Sequence, residues 1–243
     1  IILIIFEFLD RNHTMTTTSS VPSFDFAGIE TPSNYQEKAL CVLLLDISGS
    51  MMNEGRLDAL NEGLREFYED IKDNSNLSDA LEITLVAFDH QIHTLVAPSL
   101  VEGFEMPVLD SRGGATNIAG AIEEGINIID ARKDYYRHHG ISYKRPWMIL
   151  MTDGVSTNSE SEINQATQLV HQGMDANRFH FFPIGIKLQE SQMGELKQIA
   201  HPNVPPAKLD GLRFSDFFLW LSNSMEKVST SREGDKISLE KPT

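Results

Sequence analysis

A doubly wound α/β sheet, mostly parallel, flanked by helices and closed by one antiparallel edge strand, is predicted by three features of the sequence. Apolar runs of strand length alternate with stretches of helical periodicity, the pattern of βαβ units. The first run, Leu40 to Ile47, is uninterrupted, as expected of a central strand covered on both faces. Two later runs stand on either side of the short Asp89-His90 turn, the spacing of a hairpin and hence of an antiparallel pair at a sheet edge.

The elements follow in order. After the first strand, Leu57, Leu60, Leu64, Phe67, Tyr68 and Ile71 recur at helical spacing up to Asp73-Asn74. Leu81 to Phe88 reads as the second strand and Gln91 to Val96 as the third. Ile118, Ile122, Ile126 and Ile129 mark another helix, and Pro146 to Met151 another strand. Ser159 with Glu162 has the form of a capping box, opening a helix that continues through Ile163, Ala166, Val170 and Met174. Phe179 to Ile186 is a strand, Met193 to Ala200 a short helix, and a weak strand is expected near Lys208. Phe214, Phe217, Phe218, Leu221, Met225 and Val228 give a C-terminal amphipathic helix.

These elements define a domain over residues 38–228, preceded by a flexible segment over 1–37 and followed by a disordered polar tail over 229–243. Ile1 to Leu9 is strongly apolar but too short to span a bilayer, and it lacks the basic region and cleavage site of a signal peptide. Because Met15 begins an ordinary polar start, residues 1–14 are read as upstream of the true start.

The net charge of −15 argues against nucleic acid or an anionic membrane as partner, since either calls for a basic patch. The single cysteine, Cys41, permits no intrachain disulfide and no cysteine-based zinc site; it reads as a small buried hydrophobe and fits a reducing, cytoplasmic setting.

The first strand ends in Asp46-Ile47-Ser48-Gly49-Ser50, three oxygen donors in five residues. Thr116 follows the Gly113-Gly114 loop, and Asp153-Gly154 follows a second apolar strand. Ligands of doubly wound sheets bind beyond the carboxyl ends of the strands, so Asp46 and Asp153 share one edge. A donor set made only of oxygen favours Mg²⁺, Mn²⁺ or Ca²⁺ over zinc or copper. The bland alternative is that Ser48, Ser50 and Thr116 cap helices and satisfy loop amides. His90 and His93 stand three apart in the hairpin and would face opposite sides of a regular strand. Gly113-Gly114 is not followed by the Gly-Lys-Ser/Thr of a phosphate loop, and no nucleophile elbow is visible.

In order and spacing, Asp46, Ser48, Ser50, Thr116 and Asp153 resemble the metal-ion-dependent adhesion site of the von Willebrand factor A family, a resemblance that extends over roughly residues 39–228. It implies a Rossmann-like fold, with the hydroxyls of Ser48, Ser50 and Thr116 binding a divalent ion, Mg²⁺ or alternatively Mn²⁺ or Ca²⁺, and Asp46 and Asp153 supporting it. An open coordination position would receive an Asp or Glu carboxylate from a partner protein.

The segments Val42–Met51 and Met151–Gly154 look most like bacterial stand-alone A-domain proteins, including those associated with tellurium resistance and stress responses. That resemblance implies a non-enzymatic interaction domain, with a kinase and phosphatase pair as partners. An adaptor for an AAA+ ATPase of the MoxR or chelatase type is the alternative. A metal-dependent hydrolase using Asp46 or Asp153 as base is the third reading.

Overall fold

The computed structural model describes residues 36–111, 113–209 and 214–230. The lead-in and the polar tail expected from the sequence lie outside these residues, apart from a few at their inner ends.

The chain runs through β1 (Ala39–Asp46), α1 (Arg56–Asp73), α2 (Ser75–Ser78), β2 (Leu81–Phe88), β3 (Ile92–Leu100) and α3 (Ile118–His138). It continues through β4 (Trp147–Thr152), α4 (Glu160–Asp175), β5 (His180–Ile186), α5 (Gly194–Ile199), β6 (Ala207–Leu209) and α6 (Phe214–Thr230). The six described strands form one sheet in the order β3-β2-β1-β4-β5-β6. Every neighbouring pair is parallel except β2 and β3. The predicted sheet, with its antiparallel edge strand, is therefore the one observed.

All eight residues of β1 are buried, as are those of β2, β4 and β5, which requires cover on both faces of the sheet. Helices α1 and α6 pack together, and α3 packs with α4. The α1–α6 approach depends on Gly63: a side chain there would begin 2.8 Å from Phe214 Cβ. Helix α4 opens on the predicted capping box between Ser159 and Glu162.

Besides the one-turn α2, which the sequence reading did not contain, three elements differ from it. β3 extends to Leu100, beyond Val96, because the ladder absorbs Pro98 in a register shift opposite Ile83–Leu85. An edge strand with a bulge tolerates a residue that cannot donate to the ladder. Helix α3 continues nine residues past Ile129, and the first loop is wound into a 3-10 segment, Gly49–Gly55. Among the described residues no helix is long and apolar enough to cross a membrane.

The order of strands places a switch point between β1 and β4. From β1 the chain moves outward to β2 and β3, then returns to begin β4 on the other side. The loops after β1 and β4 therefore diverge, leaving a crevice at their carboxyl ends.

Candidate metal site at the carboxyl edge of the sheet

The register of β1 against β4 pairs Leu45 with Met151, which brings the next residues, Asp46 and Thr152, side by side. Asp46 is fully buried and both of its oxygens are engaged. Oδ1 accepts the amide of Ser48 at 2.8 Å, turning the loop, and Oδ2 accepts the Thr152 hydroxyl at 2.6 Å. Burial pushes the Asp46 carboxyl up to about 6, although the hydrogen bonds from Thr152 and Ser48 oppose that rise.

The turn at Asp46 presents the two serines. Their hydroxyl oxygens stand 3.1 Å apart, and Ser50 donates to Asp153 Oδ1 at 2.6 Å. Thr116 is buried at the mouth of the second loop. A side chain on Gly154 would begin 3.8 Å from both the Ser50 and the Thr116 hydroxyl oxygens, so the glycine keeps that space open. All five residues predicted from the sequence therefore come together at one point, drawn from three loops.

The loops hold one another in place. Ser111 donates to the carbonyl of Ile47 at 2.7 Å, tying the second loop to the first. Thr157 donates its amide to the Thr116 carbonyl at 2.9 Å, and Asn158 bridges Asn117 and the amide of Ala119. Ser156 is fastened by its amide and hydroxyl to Glu195 of α5.

The donor chemistry suits a hard cation: three hydroxyls and two carboxylates, with no nitrogen or sulfur donor. Among the described residues no three His, Cys, Asp or Glu side chains group as a metal centre, so a cation here would rely on the hydroxyls. His90 instead lies against Asp89 and Gly114, and His139 turns back on the carbonyl of Tyr135 at the end of α3.

Arg56 is the participant that the sequence reading missed. Its Nη1 donates to Asp153 Oδ2, the oxygen that Ser50 does not use, while Nη2 lies 3.5 Å from Glu54. Glu54 also accepts Lys187 Nζ at 2.9 Å. The cause is local: Glu54 and Gly55 both take left-handed backbone angles, φ 56° and 66°, which reverse the chain and start α1 at Arg56 facing the site. A cationic residue opening a helix opposes the helix dipole, but that local mismatch does not say which carboxylate the side chain meets.

Residues 41–156 match the family model of the von Willebrand factor type A domain. No curated protein matches the chain. Among solved structures, the von Willebrand factor domain of the type V pili tip protein Mfa5 from Porphyromonas gingivalis is 14% identical with a TM-score of 0.57, covering 83% of this chain and 99% of that one. The pilus adhesin SpaC from Lactobacillus rhamnosus GG, in its open conformation, is 15% identical with a TM-score of 0.61 over 80% of this chain and 31% of its own. Proximal thread matrix protein 1 of the mussel byssus, with zinc in its MIDAS motif, is 17% identical with a TM-score of 0.52 over 79% and 48%. The chain thus spans about half the length of the mussel protein and under a third of the adhesin. Likenesses this remote speak for the fold alone. Together with the match over residues 41–156, they give the described sheet and helices the von Willebrand factor type A fold.

Proposed function

We propose that this chain is a divalent-cation-dependent protein-interaction domain and not an enzyme. The observation that carries the reading is the convergence of the Ser48, Ser50 and Thr116 hydroxyls beside two carboxylates that are already hydrogen-bonded within the protein. Ser48, Ser50 and Thr116 would hold the ion directly, with Asp46 and Asp153 supporting from behind. Bound among neutral hydroxyls, such an ion supplies an electrophilic docking point for a carboxylate from another protein. Asp46 fixes the Ser48 turn, Asp153 orients Ser50, and Gly154 leaves the approach clear. Two apolar side chains in the first and third loops, Met52 and Val155, are 63% and 50% exposed and offer a partner surface beside the donors.

The same hydrogen bonds weigh against the hydrolase reading. A general base must reach a substrate's proton, and the hydrogen bonds of Asp46 and Asp153 turn both buried carboxylates inward, toward Ser48 and Thr152 and toward Ser50 and Arg56.

Mg²⁺ is the ion proposed, with Mn²⁺ or Ca²⁺ as alternatives. Zinc belongs in the test because the mussel protein carries it in its motif. The resemblance of Val42–Met51 and Met151–Gly154 supports a bacterial stress or tellurium-resistance setting in the cytoplasm, with a kinase and phosphatase pair or an AAA+ ATPase as partner.

Calorimetric titration with Mg²⁺, Mn²⁺ and Zn²⁺ tests the site. Binding to the wild-type protein that is abolished in Thr116→Ala supports it, and binding equal in both sinks it. A partner interaction that survives both EDTA and Thr116→Ala would place the interface elsewhere.

A further inference from the structure

We infer that Arg56 is a built-in competitor of the cation, a guanidinium that neutralises Asp153 when no ion is bound and must yield its hold when one enters. The inference rests on the cation site proposed above.

Asp153 has two oxygens and both are spoken for, Oδ1 by the Ser50 hydroxyl and Oδ2 by Arg56 Nη1. The Asp153 side chain is fully buried and that of Arg56 is only 17% exposed, so the ion pair is largely shielded from water. A divalent ion held by Ser50 would sit on the other side of the same carboxylate, where a fixed positive charge opposes it. Without Arg56, two buried carboxylates, Asp46 and Asp153, would face each other with no positive partner. The guanidinium therefore stabilises the ion-free form and lowers affinity for the ion.

The surroundings also provide a second position for the displaced charge. Arg56 Nη2 already lies 3.5 Å from Glu54, whose side chain is 62% exposed and is anchored by Lys187 at 2.9 Å. Arg56 Nε is buried and has no hydrogen-bond partner among the described residues, as befits a side chain fastened at its tip. Releasing Asp153 and turning toward Glu54 exchanges one carboxylate for another. Glu54 is thus the landing site, held in place by the left-handed turn at Glu54 and Gly55.

The test is Mn²⁺ titration, by calorimetry and by the loss of free-ion paramagnetic resonance signal, on wild type, Arg56→Gln, Arg56→Lys, Glu54→Gln and Thr116→Ala. Arg56→Gln is expected to bind Mn²⁺ at least roughly tenfold more tightly, the lower bound set by a unit charge acting on a divalent ion several ångströms away even in water. Arg56→Lys keeps the charge and is expected to stay within about threefold of wild type. Glu54→Gln removes the landing site and is expected to weaken binding, an effect that disappears in the Arg56→Gln background. The ion-free Arg56→Gln protein should melt lower than wild type and regain more on adding Mn²⁺. If wild type binds Mn²⁺ and Thr116→Ala does not, while Arg56→Gln binds equally or less tightly, the competitor role is overturned and the cation site stands. If neither wild type nor Arg56→Gln binds, or Thr116→Ala changes nothing in either, the cation site itself fails.

Discussion

The two ends of the same sheet bury charge in opposite ways. At the amino edge, Glu82 near the start of β2 receives a two-pronged hydrogen bond from Arg132, 2.6 Å on each arm, and a third from the Tyr136 hydroxyl at 2.6 Å. Arg132 in turn lies over the rings of Tyr135 and Tyr136. That cluster is closed: anion and cation match in charge and geometry, and its work is to fasten α3 to β2. At the carboxyl edge each of the two aspartates is hydrogen-bonded at both oxygens, but the hydroxyls around them converge on space kept open by a glycine. A polar cluster that closes on itself holds a fold together. One that leaves acceptors aimed at a common point is arranged to receive something.

The largest effect expected is at the closed cluster. Glu82→Gln leaves Arg132 without its carboxylate and should cost about 3 kcal/mol of stability by urea denaturation, while Mn²⁺ affinity stays unchanged. Thr116→Ala is the converse: Mn²⁺ binding should be lost from the measurable range, a fall of roughly a hundredfold or more on losing a ligand, with stability altered by about 1 kcal/mol or less. Parallel losses of stability and affinity in both variants would erase the distinction between the two edges.

A smaller effect sets the edges apart by pH. Burial raises the Asp46 carboxyl from 3.8 to about 6, so between these values the folded chain binds a proton that the unfolded chain releases. Its contribution to stability is therefore lost as pH rises through that window. His180, buried at the start of β5 and near Arg145, is held well below its ordinary 6.5, first by burial and then by that positive charge. There the unfolded chain takes the proton, so stability is lost as pH falls below 6.5. In EDTA-treated protein, Asp46→Asn and His180→Phe should shift the slope of stability against pH, measured between pH 5 and 7, in opposite directions. Each change is bounded by about 1.4 kcal/mol per pH unit for one proton. Shifts of the same sign would show that one of the two burial arguments is wrong.

Much of the site was legible because its residues sit where local pattern speaks. Asp46 and Asp153 end or follow apolar runs, Ser48 and Ser50 flank a glycine, and Thr116 follows two more glycines. Arg56 and Thr152 were not legible. Arg56 reads as an ordinary polar residue at the head of an amphipathic helix, and only the left-handed pair Glu54–Gly55 turns it inward. Thr152 reads as the last residue of a buried strand, and its bond to Asp46 depends on the register of β1 against β4. The closed cluster was equally hidden, since Glu82 and Arg132 stand fifty residues apart with no motif to join them.

By itself the sequence determined the alternation of strands and helices, the antiparallel edge and the five donors of the candidate site, because each follows from hydrophobic period, turn chemistry and the abrupt polarity of a strand end. Only the tertiary structure decided that β1 and β4 lie side by side, so that donors more than a hundred residues apart share one crevice. It also decided that a positive charge from the same chain already stands there. The physical reason is range. Periodicity and capping act over a few residues, whereas the pairing of charges depends on which strands the sheet makes neighbours.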